Sequence, residues 1–204
     1  MIYIVGIGPG SKDYILPKAI ITIENSEVVI GFRRALESLY FIDMPKKEAK
    51  DLSEIISFIN SCKAKDIAIV ASGDPCFYGI LNYIKANYKV SFEVVPGISS
   101  FQYLMAKLNK AWQGSFLGSL HGREEDFIEK VGNSYISIWL TDKTNTPKII
   151  CKRLYEKPMQ CKVYIGENLS YEDEKITVGI PEELMDKEYG DLSVVVIEND
   201  LYKG

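Results

Sequence analysis

Asp66-Ile-Ala-Ile-Val-Ala-Ser72 is apolar at five consecutive positions and runs straight into Gly73-Asp74-Pro75. Side chains of a strand alternate between two faces, so a run that is apolar throughout needs cover on both, as in a parallel sheet flanked by helices. Glycine and proline then end the strand and turn the chain. Ile2 to Ile7 repeats the pattern into Gly6-Ile7-Gly8-Pro9-Gly10, and the strand-like run Val90 to Val95, apolar apart from Ser91 and Glu93, leads likewise into Val95-Pro96-Gly97-Ile98-Ser99-Ser100. In an open α/β sheet, ligands bind beyond the carboxyl ends of the strands, where following helices present backbone N–H groups. Three such loops predict one shared ligand rim.

Working outward, Pro17 suits the first turn of a helix through Ala19, Ile20 and Ile23, and Glu27 to Ile30 reads as the next strand, completing a βαβ unit. Leu52, Ile55, Ile56 and Ile59 share one face of a helix from about Leu52 to Cys62. Further helices are predicted from about Phe77 to Ala86 and from Ser99 to Leu108. Periodicity is lost and turn residues gather in Asn109-Lys-Ala-Trp-Gln-Gly-Ser115, which places a boundary between an N-terminal lobe, residues 1–111, and a C-terminal lobe, residues 112–204. The second lobe reads as strand Ser115 to Leu120, helix about Glu124 to Val131, strand Tyr135 to Leu140 and helix about Pro147 to Leu154. Strands Cys161 to Ile165, Lys175 to Val178 and Leu192 to Ile197 follow without long helices between them, so this sheet is expected to be mixed. The fold class expected is α/β, two lobes, the first mostly parallel and the second mixed, with an active-site cleft between them.

Composition narrows the partners. The 204 residues carry a net charge of −4, which disfavours a surface that tracks a phosphodiester backbone, so no nucleic-acid partner is expected. Met1 to Val5 has no basic n-region and reaches Gly6 too soon for a signal peptide or a membrane span, so a cytoplasmic protein without membrane partners is expected. Cys62, Cys76, Cys151 and Cys161 form no C-x-x-C pair; buried structural thiols are expected, with no metal site and no disulfide.

Several loop residues carry chemistry or a plainer role. Gly6-x-Gly8-x-Gly10 departs from the dinucleotide fingerprint: the third glycine is one residue early, Pro9 removes an N–H, and no acidic residue ends the next strand. A tight turn alone would explain these glycines. Asp74 is either a helix cap or a carboxylate at the rim, and Ser99 and Ser100 suit both capping and binding. Arg33, Arg34 and Arg123 suit a ligand rich in carboxylates, although Arg33-Arg34 also reads as a solvated helix start. His121, the only histidine, falls just after a predicted strand, either as a structural side chain or as a base or substrate-orienting group. Phe77, Tyr78, Phe101 and Tyr103 lie beyond the loops, as core or as faces for a flat ligand.

Val5-Gly-Ile-Gly-Pro-Gly10, Ser72-Gly-Asp-Pro-Cys-Phe-Tyr-Gly79 and Val95-Pro-Gly-Ile-Ser-Ser100, in this order, resemble the tetrapyrrole methylases, which use S-adenosylmethionine. Ser119-Leu-His-Gly-Arg123, Gly166-Glu-Asn-Leu169 and Leu192-Ser-Val-Val-Val-Ile-Glu-Asn199 resemble the branch that methylates carbon 5 of cobalt-precorrin-7 in anaerobic cobalamin biosynthesis. The resemblance implies cofactor contacts from Gly73, Asp74, Phe77, Ser99 and Ser100, with Leu140 and Leu169 around the adenosine. It implies Pro9 and Gly10 on the substrate side, a cobalt-precorrin substrate and a homodimer. Pro17 and Ile180 depart from the family's pattern, where threonine is common. Methyl transfer from a sulfonium needs in-line approach and exclusion of water more than a strong acid or base. The readings that compete are a sibling methylase acting on another ring carbon or on diphthamide, a nucleotide-binding module without chemistry, and a nicotinamide oxidoreductase.

Overall fold

A computed structural model of the chain describes residues 1–122, 126–157 and 159–202. It forms two compact units, Met1–Ser100 and Phe101–Gly204. The first runs β1 (Ile2–Gly6), α1 (Pro17–Glu24), β2 (Val28–Gly31), α2 (Arg33–Glu37), β3 (Lys46–Glu48), α3 (Leu52–Ser61), β4 (Ile67–Ala71), α4 (Leu81–Asn87) and β5 (Phe92–Val95). The strands are all parallel, in the order β3-β2-β4-β1-β5. Both faces are covered, as the doubly apolar strands require. Val5, Val29, Ala68 and Val70 pack with Ala19 and Ile23 of α1 and Ala35 and Leu36 of α2. Ile2, Ile4, Ile30, Ile67 and Ile69 pack on the opposite face with Ile55 and Ile59 of α3 and Ile84 of α4.

Local chemistry explains the helix starts. Pro17 opens α1 at a position whose N–H would have no helical partner. Asp51 caps α3 by accepting from Glu54 N at 2.9 Å, while Glu54 accepts from Lys50 N at 2.8 Å. The helix expected from about Phe77 begins instead at Leu81. Tyr78 takes φ +48°, which breaks the helical path, and the turn closes through Leu81 N on Pro75 O at 3.3 Å. Pro75 therefore shapes a loop rather than a helix entry.

The second unit comprises α5 (Ser100–Lys107), which opens at the last residue of the first unit, β6 (Phe116–Ser119), α6 (Phe127–Gly132), β7 (Ile136–Leu140), α7 (Pro147–Tyr155), β8 (Cys161–Glu167), β9 (Lys175–Gly179), α8 (Pro181–Leu184) and β10 (Ser193–Asn199). Its strand order is β6-β7-β10-β8-β9, with β6 parallel to β7 and the other pairs antiparallel, the mixed sheet expected. The periodicity fades after α5, whereas the units divide at its start. Leu104 explains the difference: it packs over Gly166, where an added Cβ would lie 2.9 Å from its Cδ1. On the opposite face, fully buried Trp139 stacks edge-on to Phe127 at 4.9 Å and donates its indole N–H to Ser137 Oγ at 2.9 Å. Gly118 makes room for the ring, since a Cβ there would sit 2.4 Å from it.

The cysteine expectation holds for two of four. Cys151 and Cys161 are buried, and burial pushes their thiols up to about 12 and about 11, well away from reactive thiolates. Cys62 is half-buried and Cys76 is exposed, on a loop that buries Pro75 and Ile80 instead. Among the described residues no helix is long and apolar enough to cross a membrane, and no cluster of His, Cys, Asp or Glu has metal-ligand geometry.

Candidate active site

The carboxyl ends of β4, β1 and β5 are adjacent in the first sheet. After β1 the chain passes to α1 on one face, and after β4 it passes to α4 on the other. Neighbouring strands whose connections part in this way leave a crevice at their carboxyl ends, the usual ligand position of such sheets.

Glycines bring the three loops together at that point. Ile7 N donates to Ala71 O at 3.0 Å, and Gly8 and Gly73 exchange backbone bonds of 2.8 and 3.3 Å. Gly8 and Gly73 take φ of +75° and +68°, the left-handed region that glycine enters without strain. Gly6 and Gly97 serve a different need, close approach. A Cβ at Gly97 would lie 2.2 Å from Gly73 O and 2.8 Å from the Gly6 carbonyl carbon. A Cβ at Gly6 would lie 2.6 Å from Gly97 N. The rim expected from three separate loops is thus one backbone junction.

Asp74 ties that junction. Its Oδ1 accepts from Cys76 N at 2.6 Å, and its Oδ2 accepts from Gly97 N, 23 residues on, at 3.3 Å. It caps no helix, since α4 begins seven residues later. Phe77 and Tyr78 stand edge to face at 5.0 Å on the same loop, Ser99 is buried, and Ser100 is half-buried at the start of α5. Pro9 and Gly10 are both buried. A Cβ at Gly73 would meet only Ser99 Cα, at 3.7 Å, so the absent side chain leaves open space on that side of the junction. The loops that meet at the junction also carry the Ser99 hydroxyl and the Phe77–Tyr78 ring pair, side-chain types that suit the polar edges and flat base of an adenosyl group.

Arg33 and Arg34 begin α2, just past the carboxyl end of β2 and so on the same edge of the sheet. Arg33 is already engaged, with Nε 3.0 and 3.2 Å from the Glu48 carboxylate, and is largely exposed. Arg123 lies outside the described residues.

In the second unit, Ser119, Leu140, Val194 and Gly166 form one register row across four strands. Leu140 therefore ends β7 beside the end of β8, and Leu169 follows two residues after β8, buried against Gly166. His121 follows β6 at this same end of the sheet and is exposed. Its Nδ1 lies 3.2 Å from Thr141 O. A carbonyl oxygen only accepts, so Nδ1 carries a proton in this contact and Nε2 is the ring nitrogen left to face a ligand. Asp142 anchors the loop beneath it, accepting from Gly122 N at 2.7 Å, Asn145 N at 2.6 Å and Thr144 N at 2.8 Å. The Asn145 and Gly122 amides hold its carboxyl below the ordinary range. Sequence reasoning missed Thr141 and Asp142. The one signal available was Asp142 two residues before Thr144, an Asx-turn spacing.

The family model of tetrapyrrole (corrin/porphyrin) methylases matches residues 1–185. A Methanocaldococcus jannaschii protein named "Probable cobalt-precorrin-7 C(5)-methyltransferase" is 38% identical over 213 aligned positions, covering 98% of this chain and 99% of that protein. The crystal structure of a precorrin-6Y methylase of cobalamin biosynthesis from Archaeoglobus fulgidus superposes with a TM-score of 0.79 at 25% identity, over 98% of this chain and 99% of the other. Uroporphyrin-III C-methyltransferase from Thermus thermophilus, complexed with S-adenosylhomocysteine, shares the fold, with a TM-score of 0.78 at 19% identity over 97% and 91% of the two chains. With its glycine junction at the carboxyl ends of β4, β1 and β5 and a match that spans both units, the chain belongs to the tetrapyrrole methylase family.

Proposed function

We propose that this protein transfers the methyl group of S-adenosylmethionine to carbon 5 of cobalt-precorrin-7 in anaerobic cobalamin biosynthesis. The observation that carries this reading is the nearly full-length likeness to the Methanocaldococcus jannaschii protein. The cofactor's sulfonium supplies an activated methyl group: the bond from carbon 5 to the methyl carbon forms as the sulfur–carbon bond breaks, leaving a thioether. The chain's own residues then have to hold, orient and exclude water.

In this reading Gly73, Asp74, Phe77, Ser99 and Ser100 hold the cofactor, and Leu140 and Leu169 pack on its adenosine. Asp74 acts by fixing the loops, since both its oxygens already accept main-chain N–H groups. Pro9 and Gly10 line the substrate side. Arg33, Arg34 and Arg123 pair with the acetate and propionate carboxylates of the macrocycle; Arg33 exchanges Glu48 for a substrate carboxylate. Nε2 of His121 accepts the proton that the ring system releases.

His121→Ala is expected to lower kcat about a hundredfold while leaving S-adenosylhomocysteine affinity unchanged by calorimetry. A fully active variant removes His121 from the reaction. The enzyme is taken to be a cytoplasmic homodimer, and light scattering that gives a monomer mass corrects the second part.

Mass spectrometry of cobalt-precorrin-7 incubated with the protein and S-adenosylmethionine tests the whole reading. Gain of one methylene unit supports it. Methylation of a different precursor instead assigns a sibling activity, and tight S-adenosylhomocysteine binding without turnover of any precursor leaves a nucleotide-binding module.

A further inference from the structure

Leu169 is the buried tip of a turn whose backbone is strained on both sides. Asn168 and Ser170 take φ of +46° and +70°, a region that costs residues bearing a Cβ and persists only where surrounding contacts impose it. The turn holds part of its shape locally, through Asn168 Nδ2 on Asp173 Oδ2 at 2.7 Å and Tyr171 N on Asn168 O at 3.0 Å. Glu174 joins it to something larger. One carboxylate oxygen, Oε2, accepts from Ser170 N at 2.7 Å. The other, Oε1, lies 3.3 Å from Nζ of Lys107 on α5. Tyr103, one turn earlier on α5, shares hydrogen bonds with both Glu174 and Lys107. Leu104 of the same helix meets Leu169 over Gly166, where an added Cβ would lie 2.9 and 2.7 Å from their respective δ-carbons.

We infer that Glu174 is a positioning residue for cofactor binding: bridging Ser170 to Lys107 and Tyr103, it locks the Asn168–Ser170 turn onto α5 and so fixes where Leu169 packs. The inference rests on the reading above that Leu169 contacts the adenosine. Charge agrees with the geometry. Burial pushes the Glu174 carboxyl up, but the Tyr103 hydroxyl, the Ser170 amide and Lys107 together outweigh it, so it stays ionised and acceptor-only near neutrality.

A double-mutant cycle read by titration with S-adenosylhomocysteine tests this. Glu174→Ala is expected to weaken binding about tenfold, raising KM for S-adenosylmethionine with kcat at saturation unchanged. Glu174→Gln, which keeps an acceptor for Ser170 N, should recover most of the affinity. In a Leu169→Ala background, adding Glu174→Ala should change affinity by less than about twofold, because the residue acts through Leu169. Unchanged affinity in Glu174→Ala, or losses that simply multiply in the double variant, would overturn the inference. If Glu174→Ala does not fold, Lys107→Met removes the same anchor and should weaken binding about threefold; wild-type affinity in that variant counts equally against it. Failure of the unmodified protein to bind S-adenosylhomocysteine sinks the methyltransferase reading instead.

Discussion

Gly97→Ala is expected to cost about 3 kcal/mol of stability and to abolish measurable S-adenosylhomocysteine binding. The new methyl carbon would stand 2.2 Å from Gly73 O, 2.8 Å from the Gly6 carbonyl carbon and 2.9 Å from Gly6 Cα. All three are backbone atoms, so no rotamer change relieves the clash; β1, β4 or β5 must shift at its carboxyl end. Overpacking of this kind propagates because interiors are packed at crystal-like density. The melting temperature should fall by roughly 10 °C. Gly114→Ala is the control: a Cβ there meets nothing within 4 Å, and only its φ of +75° is unfavourable. That change should cost about 1 kcal/mol and leave binding intact. Equal effects at both positions would mean that the loop contact is not what glycine provides at position 97.

Asp74→Ala should destabilise by about 2 kcal/mol and weaken S-adenosylhomocysteine binding by at least about tenfold. The two amides it releases differ in surroundings. Cys76 is exposed and its N–H finds water, whereas Gly97 is buried and its N–H loses its acceptor. The loops of β4 and β5 then lose their side-chain tie. Asp74→Asn discriminates between this structural role and direct recognition of a cationic cofactor group. Its single amide oxygen can serve one of the two N–H groups while its NH2 opposes the other, so stability should fall between wild type and the alanine variant. Were Asp74 only a charge for the ligand, both variants would lose affinity and neither would lose stability by denaturant unfolding.

Much of the scaffold is legible because its signals are local. β4, β1 and β5 declare themselves by apolar residues on both faces, α1 and α7 by Pro17 and Pro147 at their first positions, and α3 by Asp51 and Glu54 ahead of its apolar stripe. β3 gives no such signal. Lys46, Lys47 and Glu48 are all exposed and form a strand only because β2 offers them an unpaired edge. α2 and α8, with five and four residues, are too short to show a helical period. The start of α4 departs from expectation for a related reason: Phe77, Ile80, Leu81 and Ile84 have helical spacing, but the Asp74 turn and the positive φ at Tyr78 occupy the first turn's worth of chain.

The candidate site divides along the same line. That three glycine loops follow three strands, and that they belong with tetrapyrrole methylases, is written in consecutive residues and was readable from the chain alone. A shared rim was readable too, but not the atoms through which its loops meet. The Asp74 to Gly97 bond, the Gly6–Gly73–Gly97 contact, the Thr141 carbonyl that accepts from His121 Nδ1 and the Glu174 bridge to Lys107 join residues 20 to 91 positions apart. Periodicity and turn chemistry act over a few residues, so they fix which segments become strands, helices and loops. Which backbone atoms meet is decided by strand order and packing, where the absence of a single Cβ, or one carboxylate spanning two loops, sets the position of everything beyond it.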